Sequence, residues 1–218
     1  MDISSYFSVW GKLAPATQQA LSAAVMSRRA EVGTVLYRGE AECLGLVVLK
    51  SGRLRTYMIS PDGREVTLYR LLEGDICLFS ASCVLNGLQL DIIIEAERES
   101  ELLVIPSYIF KQQMEKSLPL AHYVNEIMNS RLSEVMWLME QIMWKSMDAR
   151  LADFLLAEAV LEESTALKIT HERIAAHLGS AREVVTRLLR YFQQEGLVEL
   201  SRGQILLTDE KKLRELAG

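Results

Sequence analysis

The sequence predicts an α+β chain with an N-terminal β jelly roll, one long helix and a C-terminal winged helix-turn-helix. Three observations predict this class. Glycines recur between short apolar runs over residues 32–105, no glycine occurs over residues 119–146, and two short amphipathic segments joined at a glycine precede a hairpin pattern. We therefore expect domains at residues 1–118, 119–146 and 147–218.

The composition limits the class of protein. The 218 residues include 24 basic and 29 acidic side chains, for a net charge of −5, and 50% of them are hydrophobic. A chain this apolar can fold, whereas its acidic balance argues against unspecific coating of nucleic acid. No apolar run approaches the roughly 18 residues of a membrane span, and residues 1–5 lack the pattern of a signal peptide. We expect a cytoplasmic protein without membrane contact.

Short strands separated by turn residues are predicted in the first part. Val32–Gly39 and Gly45–Arg55 each fit strand, turn and strand, and Ser60–Gly63 fits a tight turn because proline presets one backbone angle and glycine accepts a positive φ. Strands at intervals of roughly 8–12 residues are typical of a jelly roll or sandwich. A short helix over Thr17–Arg29 is expected before them.

Pro119–Ser146 is predicted to form one long helix. Its apolar residues follow a spacing of 4, 3, 4 and 3, at Met128, Leu132, Val135, Met139 and Ile142. This heptad seam is typical of a helix that packs on a partner helix, although it also fits a core helix on its own roll. A second apolar stripe, formed by Val124, Ile127 and Leu138, favours both contacts at once. We predict a homodimer.

The predicted helix-turn-helix begins at Thr170, a good N-cap, and turns at Gly179, where a left-handed residue is needed. Ser180 is expected to cap the second helix. One stripe of that helix is apolar, with Val184, Val185, Leu188, Leu189 and Phe192. A polar stripe lies about 200° away, with Arg182, Glu183, Thr186, Arg187 and Arg190. Such a stripe also fits an ordinary solvated helix, and Ser180 with Glu183 also fits a capping box.

The following residues favour DNA binding. Glu195–Leu207 predicts a helix stop and a two-stranded wing, with Arg202 and Gln204 at its tip. An arginine fork matches guanine and a carboxylate accepts a hydrogen bond from cytosine, so we expect Arg182, Glu183 and Arg187 to read bases of double-stranded DNA. The expected phosphate contacts are Thr170, Ser180, Thr186, Arg190, Arg202 and Gln204. No nucleophile–base pair, metal-ligand spacing or phosphate loop occurs, so no enzyme and no metal site are predicted.

Over nearly its full length the chain resembles the CRP/FNR superfamily of bacterial transcription regulators. Glu183-Val184-Val185-Thr186-Arg187 is similar to the family's Glu-x-x-Ser-Arg motif, and Arg182 is similar to the Arg-Glu start of its CRP branch. Gly74-Asp75 matches a turn of the family's roll, whereas Arg173 departs from the acid or amide of many relatives. The resemblance implies a cyclic-nucleotide-binding-like roll that senses a small effector, a homodimer on a palindromic operator, and RNA polymerase as a partner.

Cyclic AMP is not the expected effector. Relatives that bind cyclic AMP use a glutamate for the ribose hydroxyl and an arginine for the cyclic phosphate. The resemblance places the glutamate position at about Phe79 of this chain and the arginine position between Gln89 and Asp91. Leu71–Glu97 contains no lysine or arginine. A phosphate buried there would carry a heavy desolvation cost without a countercharge.

The cysteines leave several interpretations open. Cys77 and Cys83 fit a redox disulfide, haem ligation through Cys77, or two small buried apolar side chains. Phe79 stands where the haem-sensing branch has a histidine, and three cysteines match an iron–sulfur cluster poorly. The candidate effector pocket comprises Cys77, Leu78, Phe79, Ser80, Ser82 and Cys83, and an apolar effector fits it equally well. The alternative function is a redox- or haem-dependent sensor whose winged helix contacts protein.

Overall fold

The computed structural model describes residues 3–39, 44–78 and 91–218. Contacts within the chain divide it into two compact units. The first comprises Met1–Met58 and Leu68–Val135, and the second comprises Ile59–Thr67 and Met136–Gly218.

The first unit is a β-roll with helices on one side. Its strands are β1 (Met26–Ala30), β2 (Val35–Arg38), β3 (Leu46–Ile59), β4 (Glu65–Leu71), β5 (Ile76–Cys77) and β6 (Ile93–Ile105). Strands β1, β2 and β3 pair antiparallel with β6, β5 pairs antiparallel with β3, and β4 lies beside β3. Helix α1 (Pro15–Ala24) precedes β1, and α2 (Ser107–Lys116) follows β6.

Both faces of the roll's sheet are buried because successive strand residues point to opposite sides. Val47 and Leu49 join one apolar cluster with Leu102 and Val104. Leu46 and Val48 join the other, with Phe110 of α2 and Leu120 of the next helix. The sheet therefore separates the interior of the roll from a layer of helices.

Three local predictions in the roll are wrong. Val32–Gly39 is not strand, turn and strand, because a turn at residues 32–33 is followed by the single strand β2. Gly52 does not form the turn predicted within Gly45–Arg55, because β3 runs through it with shifts of register between Leu49 and Leu54. Its backbone lies so close to β6 that a Cβ atom would clash with the carbonyl oxygen of Glu99. The helix predicted for Thr17–Arg29 ends at Ala24. Met26–Arg29, which were predicted to be helical, instead belong to β1 and pair with β6.

Helix α3 (Leu118–Trp144) is the long helix predicted from the heptad seam. Val124 is buried against the roll, and Met128 packs on both of its apolar clusters. Helix α4 (Met147–Leu161) begins after a two-residue break. Lys145 in that break pairs with Asp153 of α4 at 2.6 Å. Across the described ranges, no helix combines the length and apolar character needed to cross a membrane.

The second unit contains the winged helix-turn-helix. Its further elements are β7 (Ala166–Leu167), α5 (His171–Leu178), α6 (Arg182–Gln194), β8 (Val198–Ser201), β9 (Gln204–Leu207) and α7 (Glu210–Ala217). The sheet has the order β7-β9-β8 and is antiparallel. Its core includes Leu155 of α4, Ile174 of α5, Phe192 of α6 and Leu213 of α7. Helix α7, capped by the Asp209 side chain, was not predicted.

Candidate nucleic-acid interface

Helices α5 and α6 meet at the predicted turn. The Thr170 hydroxyl accepts a hydrogen bond from the Arg173 N–H at 3.1 Å and so caps α5. Gly179 ends α5 with φ +68°, a left-handed conformation that favours glycine. The predicted cap of α6 is wrong: its N-cap is Ala181, without a side-chain hydrogen bond, so Ser180 and Glu183 form no capping box.

Helix α6 separates its apolar and polar sides as predicted. Val185, Leu189 and Phe192 are fully buried in the core of the second unit. The opposite side forms one shallow surface, lined by Arg182, Glu183, Thr186, Arg187, Arg190, Tyr191 and Gln194. The predicted base readers and Arg190 are exposed on it. An exposed basic face on a helix whose other face is buried has the geometry needed to enter a major groove.

Tyr191 and Gln194 belong to this surface but were not predicted. They lie four and seven residues after Arg187, which places them on the same side of a helix. Tyr191 is 49% exposed. Their spacing from Arg187 could have predicted this position. However, a tyrosine next to the core residue Phe192 fits the apolar stripe of the helix equally well.

His171 is a second residue that was not predicted. Its Nδ1 lies 2.9 Å from the Thr186 hydroxyl, so the first residue of α5 holds a side chain of α6. Burial, then the positive charges of Arg182 and Arg190, lower the pKa of His171 below its ordinary value. The neutral form of the ring is therefore favoured beside this cationic surface.

We expect Arg182→Gln to raise the pKa of His171, because a positive charge that disfavours the imidazolium is removed. Titration of the ring protons by NMR measures this shift. Arg202→Gln, which removes an arginine from the wing, serves as the control and leaves the pKa unchanged. A titration curve identical in the Arg182 variant and the native protein would contradict the proposed coupling.

The remaining phosphate candidates lie at the edges of this surface or on the wing. Thr170 is exposed at the start of α5, and Ser180 is half-buried in the turn. Arg202 is exposed in the turn between β8 and β9, and Gln204 begins β9. The Thr186 hydroxyl is hydrogen-bonded to the His171 ring. A phosphate that contacted this hydroxyl would therefore lie next to the ring.

An arginine of α4 fixes the end of α5. The Arg150 guanidinium donates a 2.6 Å hydrogen bond to the carbonyl oxygen of Leu178, one of the last carbonyls of α5, which lack partners within their own helix. Burial lowers the pKa of Arg150. Because Leu178 immediately precedes the left-handed Gly179, this bond sets the position at which the chain turns toward α6.

The predicted dimer seam lies on α3. Leu132, Met139 and Ile142 are 61%, 48% and 46% exposed, whereas Val135 and Met128 are half-buried. Further exposed apolar side chains follow the same helix, at Met136, Trp137, Met143 and Trp144. So many exposed large apolar side chains on one helix are unusual on the surface of a monomer.

The effector candidates are only partly described. Cys77 and Leu78 are buried, and they belong to the two different apolar clusters, so they point to opposite faces of the sheet. Phe79, Ser80, Ser82 and Cys83 lie outside the described residues. In the part of the chain that is described, no three His, Cys, Asp or Glu side chains are grouped as a metal site.

A buried charge cluster in the roll was not predicted. Arg53, Arg55 and Arg70 are buried or half-buried on strands β3 and β4. The Nε of Arg70 lies 2.8 Å from a Glu97 carboxylate oxygen, and Arg53 lies 3.9 Å from the same oxygen. The guanidinium of Arg55 stacks on the Tyr57 ring, 4.2 Å from its centroid. These arginines stand outside Leu71–Glu97, the segment from which positive charge is missing.

Two family models match this chain. Residues 27–117 match a cyclic nucleotide-binding domain, and residues 149–216 match a Crp-like helix-turn-helix domain. The matches cover the roll and the winged helix-turn-helix.

Proteins that are similar to this chain in sequence or structure point to the same family. One solved crystal structure is that of a transcriptional regulator of the Crp/Fnr family from Eubacterium rectale. Its sequence is 51% identical to this chain, and the two structures superpose with a TM-score of 0.95 over 98% of this chain and 99% of that one. The cyclic AMP receptor protein of Thermus thermophilus is 28% identical over 84% of this chain and 83% of its own length. The transcriptional regulator LdrP of the same species is 28% identical over 88% of this chain and 97% of its own length.

Proposed function

Because this chain belongs to the CRP/FNR family of transcriptional regulators, we propose that it binds a palindromic DNA operator as a homodimer, with Arg182, Glu183 and Arg187 as its base readers. The observation that carries the proposal is helix α6, whose arginines are exposed on one side. On the other side Val185, Leu189 and Phe192 are fully buried, and Val184 and Leu188 are half-buried. Arginine forks and a carboxylate favour guanine and cytosine in the operator.

The charge near the turn supports specific rather than general binding. Thr170–Arg190 contains four arginines and two glutamates, although the whole chain carries a net charge of −5. Unspecific affinity grows with the number of phosphates that cations neutralise. We therefore propose weak unspecific binding, with Thr170, Ser180, Thr186, Arg190, Arg202 and Gln204 positioning the protein on the backbone.

The exposed seam of α3 supports the homodimer. A second copy would cover Leu132, Met139 and Ile142 in a parallel helix pair and remove them from water. Two-fold symmetry places the two winged helices on half-sites about one helical turn apart, which is roughly 34 Å. We propose RNA polymerase as a further partner, as the resemblance to the family implies.

We propose an effector other than cyclic AMP for the roll. The cations in its strands are already occupied in part, because Glu97 pairs with Arg70 and lies near Arg53. Cys77 is buried and lies in an apolar cluster, which favours a role in packing over an exposed redox thiol. An apolar or aromatic small molecule is the ligand class that the apolar cluster around Cys77 favours.

Selection from random double-stranded DNA tests the proposal. We expect the enriched fragments to contain an inverted repeat with a G·C pair in each half, and binding to weaken steeply as salt rises. Adding cyclic AMP is expected to leave the affinity unchanged. A library that shows no enrichment would overturn the proposed operator, and a marked gain in affinity with cyclic AMP would overturn the proposed effector class.

A further inference from the structure

The hairpin formed by the last residue of β3, the connecting turn and the first residues of β4 comprises residues 59–67 and belongs to the compact unit of the winged helix-turn-helix. The β4 residues of this hairpin contact the end of α5, next to the turn that leads to α6. Val66 forms an antiparallel β-bridge with Leu178, and the Thr67 hydroxyl lies 2.8 Å from Nδ1 of His177. Because these contacts join residues that are distant in the sequence, 110 positions apart for Thr67 and His177, they are a tertiary feature of the fold.

The partners of the hairpin on α5 are well fixed. His177 is only 5% exposed, and its ring lies 5.2 Å from that of Phe154 on α4. At Gly179, a Cβ atom would approach the Val66 side chain to 3.3 Å, so the two segments are in close contact. The hairpin is therefore packed against the residues that define the turn of the helix-turn-helix.

The hairpin tip is itself ordered. The Ser60 hydroxyl donates a 2.6 Å hydrogen bond to Asp62, and the Ser60 N–H donates to the carbonyl oxygen of Arg64 at 2.8 Å. Arg64 pairs with Asp62 at 2.9 Å. With Glu65 as the next residue, the tip carries two acidic side chains and one basic one.

The tip also shares a cleft with proposed DNA contacts. Gly63, Arg64 and Glu65 line a cleft of about 480 Å³ that is also lined by Thr170, Glu172, Arg173, Ser180, Ala181, Arg182 and Glu183. These residues begin α5 and α6, the ends that a DNA backbone must approach if Thr170 and Ser180 contact phosphates. A DNA backbone entering the cleft would meet the tip, because Gly63, Arg64 and Glu65 occupy one of its walls.

We propose that this contact is autoinhibitory: the hairpin and operator DNA compete for the N-terminal ends of α5 and α6. The inference rests on the proposed function, since it requires the operator. The hairpin is continuous with β3 and β4 of the roll, so an effector that shifts these strands changes the fraction of molecules in which the contact is closed. A closed fraction lowers the apparent affinity for DNA in proportion.

A reversible disulfide tests the competition. Residues opposite each other in an antiparallel bridge have Cα atoms about 4.5–5.5 Å apart, which suits a disulfide, so Val66→Cys with Leu178→Cys can lock the contact. We expect the oxidised double variant to lose binding to the selected operator fragment and to regain it after reduction. Each single variant, which keeps the chain's own three cysteines, is the control and binds equally in both states.

The outcomes separate the two proposals. If the reduced double variant and the single variants fold but none binds the selected fragment, the proposed DNA-binding function fails. If the reduced form binds and the oxidised form binds equally or more tightly, the autoinhibitory contact is refuted while the proposed function stands.

A milder variant tests the same contact without a disulfide. Thr67→Val keeps the side-chain shape but removes the hydroxyl that meets His177, and we expect it to bind the operator fragment about threefold to tenfold more tightly, in line with the loss of one hydrogen bond. Thr165→Val, an equal change at an exposed loop residue of the same unit, is the matched control. Unchanged or weaker binding by the Thr67 variant would overturn the inference.

Discussion

Arg187→Ala is expected to weaken binding to the selected operator by about 1–3 kcal/mol. Arg187 lies near the middle of the exposed surface of α6, where a guanidinium can donate two hydrogen bonds to one guanine. Its loss should also relax the sequence preference at one position in each half-site. Arg187→Lys should recover little of the specificity, because an ammonium group is a point charge without the planar fork.

Competition binding with operator variants measures both effects. Arg214→Ala is the matched control, because Arg214 is an exposed arginine of α7 outside the α6 surface. Since Arg187 is exposed, its replacement should change the free energy of unfolding by no more than about 0.5 kcal/mol. Equal affinity of the Arg187 variant and the native protein for the operator would exclude base reading by this residue.

Met139→Glu is expected to abolish the dimer and to reduce operator affinity by about 100-fold or more, as expected when two linked half-site contacts become one. Met139, the fourth of the five predicted seam residues, is 48% exposed. In a two-fold pair each copy would place a carboxylate next to the other copy's seam, where burial of unpaired charge is costly. Sedimentation and operator titration give the two readouts.

Ser130→Glu provides the matched control on the same helix. Position 130 is exposed and lies on the side of α3 opposite the seam, so the added charge should leave both dimer and affinity unchanged. A Met139 variant that remained a dimer would show that α3 does not form the interface. A monomeric variant with native affinity would show that a single copy suffices for the operator.

Periodicity in the sequence was sufficient to predict α3 and α6. In both helices one side is apolar over several turns, and Val124 and Val185 are buried as the patterns require. Gly179 was predictable for a different reason, because a left-handed residue is needed between two short helices. These are local signals that hold in any tertiary setting.

Other features depend on contacts that a linear pattern does not contain. Gly52 looked like a turn, but its missing side chain serves the close approach of β6. Ser180 is a better capping residue than Ala181, yet the chain leaves the turn so that Ala181 precedes the first helical residue. The β-bridge between Val66 and Leu178 joins segments that are far apart in the sequence. The residues around Val66 therefore contain no local signal that predicts it.

The two demands on Gly179 have an evolutionary consequence. Its φ of +68° makes the turn of the helix-turn-helix, and its bare Cα leaves room for Val66 of the hairpin. A mutation there therefore cannot alter the turn without also altering the hairpin contact. Selection on the operator-facing helices and selection on the hairpin act through the same residue, so we expect the two to drift together rather than independently among descendants of this chain.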